Sequence, residues 1–251
     1  MKATSRQVLA SALLALVLVL ASRPDPTGEP PVLDGRFLGT LLTARDEEGA
    51  LLTLRLDGVR PEDGGWLSYS LSIFDGAESK PLCGRRGDGP NRAVPLAGTW
   101  RADGRWQAGG FTLACFGGVL AKCARWGYRP WETRGGRPLR PYHQACTRLL
   151  RADYCGDGEG HTKDGTPINL WDDLGIQDRE DLPGMALEAA WTPEGAIGIR
   201  HTRFPEAMDY VRRTCPERLA EGPGPSCAAG GAASPLICNE SFPRLRGRGR
   251  D

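Results

Sequence analysis

The 251-residue chain is short of the residues and motifs that announce a reaction. Its histidines are His143, His161 and His201, and no two stand four apart, so a helical pair of imidazole ligands is excluded. One His near a helix start and two in loop or strand-edge positions suit ordinary structural roles better than a three-histidine zinc site. There is no Gly-x-Ser-x-Gly elbow, and the serines concentrate in a β-rich stretch as the expected solvent face of a strand. Neither the Rossmann nor the Walker glycine pattern occurs, which removes the usual phosphate cradles and any cofactor they would hold. No cysteine pair shows the spacing of roughly two to four intervening residues found in structural zinc knuckles. An excess of one charge is missing too: 32 Lys and Arg face 31 Asp and Glu. That balance offers no long-range field to gather nucleic acid or an anionic membrane. No internal repeat is visible.

A membrane-length apolar run is also lacking. Residues 8–21 form an apolar stretch of about 14 residues, whereas a spanning helix needs roughly 20. With Lys2 and Arg6 before it and no charged stop-transfer cluster directly after it, the stretch reads as a cleavable export signal. Val19 and Ala21 place small residues where signal peptidase reads them, so cleavage is expected after Ala21, and no nearby Cys marks a lipoprotein anchor. Residues 1–21 are therefore taken as signal and 22–32, rich in Pro, Gly and charge, as a linker. About 230 residues remain, enough for a substantial core.

What the chain does have is cysteine. Cys83, Cys115, Cys123, Cys146, Cys155, Cys215, Cys227 and Cys238 all follow the signal, and an oxidising destination turns them into expected disulfides. Cys146 and Cys155 are nine positions apart, about 13 Å along a continuous helix, against the roughly 4.4 to 6.8 Å between the Cα atoms of a bridge. Each should therefore bond elsewhere. Cys227 and Cys238 share one loop and are the favoured local pair; the remaining connectivity is open.

Residues 33–116 read as antiparallel β. The clearest strand is 66–74, where Leu67, Tyr69, Leu71 and Ile73 alternate with Ser68, Ser70 and Ser72. Weaker patterns cover 37–44, 50–57 and 111–116. Residues 117–240 form a Cys-rich half. In it, Pro130 stops any helix in the aromatic stretch 117–131. A helix is predicted over 142–154, with Tyr142, Cys146, Leu149 and Leu150 on one face, Arg148 and Arg151 facing away, and Gly156 as its C-cap. A hairpin is predicted over 185–200 with Thr192-Pro193-Glu194-Gly195 as its turn. A second helix opens at Pro205, carries Met208, Val211 and Cys215 on one face, and ends at Pro216. The last 30 or so residues are Gly-, Ala- and Pro-rich, and 241–251 is a basic, frayed tail. The expected class is α+β: an N-terminal antiparallel β-sandwich or barrel-like sheet packed against a Cys-rich C-terminal half with two helices and a hairpin.

Two segments carry a family likeness. Lys122-Cys123-Ala124-Arg125-Trp126-Gly127-Tyr128-Arg129-Pro130-Trp131, followed by Ala145-Cys146-Thr147-Arg148 and by Arg151-Ala152-Asp153-Tyr154-Cys155-Gly156-Asp157-Gly158, resembles the ADYC domain, named for the tetrapeptide at Ala152 to Cys155. The likeness runs on through His161-Thr162, Gly165-Thr166 and Ile168, and to Trp191–Thr202, about half the chain. It implies an exported bacterial protein, chiefly of myxobacterial type, with a shared cysteine framework, and it brings no activity with it.

Two surfaces are candidates for function. Asp153, Asp157, Glu159, His161 and Asp164 crowd a Gly-rich loop, and carboxylates beside a His can serve as acid and base or supply oxygen ligands to a cation. Lys163 breaks the pattern of an EF-hand, and the glycines suit a run of turns, which is the preferred reading. Trp126, Tyr128, Trp131 and Trp171 flank the Cys-rich centre and could form a binding patch for protein or glycan, although packing around the bridges explains them as well. The expected protein is thus a secreted, periplasmic or envelope module without a cofactor. The alternative is a hydrolase of an envelope or extracellular polymer, using Asp157, Glu159 and His161.

Overall fold

The computed structural model describes residues 15–18, 32–46, 49–74, 78–83, 91–101, 103–222 and 235–243. Residues 22–31 of the expected linker, 244–251 of the expected basic tail and the Cys227 end of the expected local bridge lie outside them; Ser241, expected to fray as the first tail residue, is instead the buried last residue of a strand.

Seven antiparallel strands make the N-terminal half: β1 (Ala15–Leu18), β2 (Leu41–Arg45), β3 (Leu51–Pro61), β4 (Leu67–Phe74), β5 (Ser79–Pro81), β6 (Ala93–Trp100) and β7 (Trp106–Cys115). They run in the order β3-β2-β1-β7-β6-β4-β5, and β3 also pairs with β4. Six strands therefore close into a barrel, with β5 against the outer end of β4. Leu42, Leu54, Leu56, Tyr69, Leu71, Phe111 and Leu113 fill its interior, as period-two alternation requires. The serine face of β4 departs from expectation. Ser68 and Ser72 are buried, bonded to the carboxylates of Glu62 and Asp57.

The strand β6 has no counterpart in the sequence pattern because Pro95 interrupts it. It pairs with β7 along its length but with β4 only at Tyr69–Ala93, which leaves Pro95 an edge where its missing N–H is tolerated. A register shift at Gly98 bends the β6–β7 pair. There the Trp106 indole lies against the Gly98 backbone, where a Cβ would collide with it, and donates Nε1–H to the Ala97 carbonyl at 2.9 Å.

The C-terminal half contains α1 (Val119–Arg125), the small ribbon β8 (Thr133–Arg134) and β9 (Arg137–Pro138), then α2 (Arg140–Arg151), β10 (Asn169–Asp172), β11 (Ala186–Thr192), β12 (Gly195–Ile197), α3 (Pro205–Thr214) and β13 (Ile237–Ser241). A four-stranded sheet, β10-β13-β11-β12, packs beneath α2. Cys123, Tyr128, Tyr142, Leu149, Tyr154, Trp191, Val211 and Ile237 lie in the core between them. The class is α+β, with a short α1 where the aromatic stretch showed only a stop. The strand β13 is fully buried at the centre of its sheet, although it sits in the Gly- and Pro-rich end of the chain.

The helix α2 ends three residues earlier than its apolar spacing suggests. Ala152, not Gly156, takes the left-handed cap conformation, with φ 52°. Gly156 is needed for a different reason: its φ is also positive, and a Cβ there would overlap the Glu194 carbonyl of the β11–β12 turn. Arg148, expected to face solvent, is fully buried.

Between described residues three bridges lock each half internally. Cys83–Cys115 ties the end of β5 to β7, Cys123–Cys146 joins α1 to α2, and Cys155–Cys215 joins the segment after α2 to the end of α3. Cys146 and Cys155 thus reach two different neighbours. Cys238 is also disulfide-bonded. Among the described residues no helix is long and apolar enough to cross a membrane.

Candidate functional site

The tetrapeptide Ala152-Asp153-Tyr154-Cys155 leaves α2 at its C-terminus, where the last carbonyls of a helix lack internal partners. Each of its residues has a structural task. Ala152 turns the chain through the left-handed cap. Asp153, fully buried, pairs with the Arg148 guanidinium and accepts the backbone N–H groups of Gly156 at 2.9 Å and Gly158 at 3.1 Å. Burial raises its pKa against the pull of Arg148. Arg148 also donates to the carbonyls of Asp103, at 2.7 Å, and Pro193, at 3.1 Å, so one side chain clamps the barrel to the C-terminal half. Cys155 supplies the bridge to α3.

Tyr154 enters a second buried network. Its hydroxyl donates to Glu188 Oε1 at 2.8 Å and accepts the Arg203 backbone N–H at 3.1 Å. Glu188 takes the Arg203 Nε–H at 3.1 Å and the Asn239 amide at 2.7 Å, and Asn239 accepts the Trp191 indole N–H at 2.7 Å. Arg203 then donates to the Leu149 carbonyl at 2.6 Å, placing a cation on the negative end of α2. Glu188 and Arg203 are both buried, an ion pair whose remaining lone pairs and protons are almost all bonded.

The polar loop that follows is built of turns. Asp157 accepts the Glu159 backbone N–H at 3.0 Å and the Tyr210 hydroxyl at 2.7 Å. Partial burial opposes its ionisation, yet the hydrogen bonds from Tyr210 and Glu159 hold its pKa below the usual carboxylate range; Tyr210 in turn is pushed up to about 12, chiefly by its bond to Asp157. The His161 ring sits between Tyr154 and Tyr210, with centroids 6.2 and 4.5 Å away. Burial lowers its pKa against the pull of Glu159 and Asp157, and its Nε2 is buried without a partner. Asp157, Glu159 and Asp164 are exposed. Asp157 and His161 therefore meet through Tyr210, while Asp153 is turned away to Arg148.

The other two histidines lie in different environments. His143, fully buried, contacts the Leu120 carbonyl at 2.9 Å and the Trp100 ring edge-on; His201 contacts the Ser241 hydroxyl at 3.1 Å. Among the described residues no group of three or more His, Cys, Asp or Glu side chains could hold a metal.

The four aromatic candidates are not brought together. Tyr128 is fully buried, stacked on Tyr142 and donating to Asp172 at 2.8 Å. Trp126 packs on the C-terminal core beneath Lys122, Trp131 meets Trp66, and Trp171 lies under Arg179; these three are partly exposed. A cleft that no motif announces opens elsewhere, at the start of α2, lined by Trp106, Arg140 and Gln144 among others. Its residues come from three separate elements, and no local pattern in the sequence links them.

Over residues 34–205 the chain matches the family model of the ADYC domain. The match begins at residue 34, so it takes in the barrel strands from β2 onward as well as the cysteine and aromatic segments after residue 122. No curated protein and no solved structure matches. With more than half its length inside the match, this chain belongs to the ADYC domain family.

Proposed function

We propose that this protein is an exported, non-catalytic module of the envelope or extracellular space that holds a protein or glycan partner on rigid side chains. The observation that carries this reading is the fate of Asp153 and Asp157, which spend their oxygens on Arg148, Tyr210 and backbone amides. General acid and base groups must reach a substrate proton; Asp153 is sealed inside the fold, and Asp157, although exposed, is held ionised by Tyr210 and the Glu159 amide, a weak base with no proton to give. The three described disulfides suit an oxidising compartment, and Trp126, Trp131 and Trp171 offer contact surface on a cross-linked frame. The mature chain, immobilised, is expected to retain a component of surface extracts. Trp131→Ala or Trp171→Ala, with an unchanged unfolding midpoint, should lose it; full retention by both variants counts against the reading.

One observation favours the hydrolase alternative. His161 carries an unpartnered buried Nε2 and a lowered pKa, the neutral state a general base requires. That alternative requires the mature protein to cleave an envelope or extracellular polymer, with loss of cleavage in His161→Ala and Asp157→Asn. No turnover across a panel of such polymers removes it.

A further inference from the structure

The cleft at the start of α2 measures about 440 Å3, within the range of roughly 300 to 1,000 Å3 common for small-ligand sites. It lies where the turn between β6 and β7, the first turn of α2 and the β11–β12 turn meet. Trp106 forms one wall and is immobilised on Gly98. The Arg140 guanidinium stacks on its ring, 4.1 Å from the centroid. Stacking fixes the plane of that guanidinium without using its N–H groups, and no hydrogen bond or ion pair to Arg140 exists among the described residues. The helix that begins here has neither a side-chain N-cap nor an acidic residue in its first turn; Pro141 lacks an N–H and the Leu139 amide bonds the Glu132 carbonyl, so the amides of Arg140 and Tyr142 are left to add positive potential beside the Arg140 guanidinium. Arg105 contributes a second, exposed guanidinium, held only 3.9 Å from Asp103.

The opposite demand comes from Gln144, which lines the same cleft and is 6% exposed. Its amide nitrogen donates to the Gly104 carbonyl, which fixes the orientation, and its carboxamide oxygen has no partner. Such an orphaned acceptor is costly unless a donor arrives. Glu194, also in the lining, is a further acceptor. A ligand that suits this cleft carries an anionic group for Arg140 and hydroxyl donors close by.

We propose that the cleft binds a carboxylated sugar unit of an acidic polysaccharide, with the carboxylate on Arg140 beside Arg105 and ring hydroxyls on Gln144 and Glu194. This deepens the binding-module reading and rests on it, naming the ligand class. A peptide C-terminus would satisfy the arginines, but it offers a single N–H near its carboxylate, whereas a uronic acid presents several ring hydroxyls on the same rigid unit as its carboxylate.

Calorimetric titration of the mature protein at low salt tests this with trigalacturonate, trimannuronate, galactotriose and a free tripeptide. At least one acidic trisaccharide should bind about tenfold or more tightly than galactotriose, and Arg140→Gln should lose about tenfold on it, the size of one charge-assisted contact. Arg140 is exposed and, among the described residues, makes only its contact with Trp106, so the melting temperature of that variant should fall by no more than a few degrees. Equal binding of acidic and neutral sugars, tighter binding of the tripeptide, an unaffected Arg140→Gln or no binding of either acidic sugar overturns the proposal. If surface material is still retained in any of those cases, this assignment fails and the module reading stands; if nothing is retained, both fail.

Discussion

The hydroxyl of Tyr154 donates to the carboxylate of Glu188 at 2.8 Å, with both residues fully buried. The bond links the segment leaving α2 to the strand β11, and through Arg203 it returns to the last carbonyls of the same helix. The most recognisable tetrapeptide of the chain is therefore a corner piece: cap, clamp, network and bridge in four consecutive residues.

The ion pair in this corner is expected to dominate its stability. Removing one partner of a buried pair leaves a desolvated charge, a loss of about 3 to 5 kcal/mol, whereas replacing both by apolar groups can be near neutral. Arg203→Met should thus lower the urea midpoint strongly, and Arg203→Met with Glu188→Leu should cost less than the sum of the two single changes. Additive losses would show that the two charges do not depend on each other.

Gly156 is expected to resist every side chain. Both its positive φ and the Glu194 carbonyl stand against a Cβ, so Gly156→Ala must push the loop off the β11–β12 turn. A loss of roughly 2 kcal/mol or more in chemical denaturation is expected. Gly165 also has positive φ but nothing near its Cβ position, so Gly165→Ala should cost clearly less; equal losses would leave backbone strain as the whole cause at Gly156.

The fate of Arg148 shows why this corner is only half legible in sequence. Helical spacing puts Arg148 opposite the apolar face, and by that rule it meets water; the rule holds for a helix with one covered side. In the structure the β6–β7 turn covers the other side of α2, and a contact 45 residues away in sequence supplies Arg148 with the Asp103 carbonyl. Long-range coverage of this kind leaves no local trace. The same reason hides β13, whose Asn239 and Glu240 look like loop residues until Trp191, Glu188 and Asn169 are set beside them. By contrast, the alternation in β4, the helix opened by Pro205 and the divergence of Cys146 and Cys155 follow from local geometry and are visible in the chain.

The strand β1 lies inside the stretch that reads as an export signal. It pairs with β7 over four residues and with β2 over two, so cleavage after Ala21 would remove it and leave β2 and β7 as facing edges. Exported protein is expected to begin at Ser22. Compared with the full chain, it should exchange faster those backbone amides of Phe111–Ala114 that point to β1, the alternate ones being bonded to β6. A start at Met1 sinks the cleavage; unchanged protection at these amides means that β2 and β7 close on each other without β1.

Acid is expected to weaken the fold through histidine before the carboxylates matter. Burial brings the pKa of His143 down to about 4 against the pull of its bond to Leu120, and burial lowers those of His161 and His201 too. A folded pKa below the unfolded value of about 6.5 means that, as pH falls, the unfolded chain takes up a proton that the fold refuses. The stability linked to His143 is therefore complete above about pH 6.5 and is lost on descent toward about pH 4, up to about 3 kcal/mol. Asp153, whose pKa burial raises, acts in the opposite sense, so the effect must be read by difference. His143→Gln keeps a donor for the Leu120 carbonyl but cannot titrate. Its urea midpoint should start lower at about pH 7 and fall less by about pH 5 than that of the parent, and a fall as steep as the parent's would exclude His143 as the source.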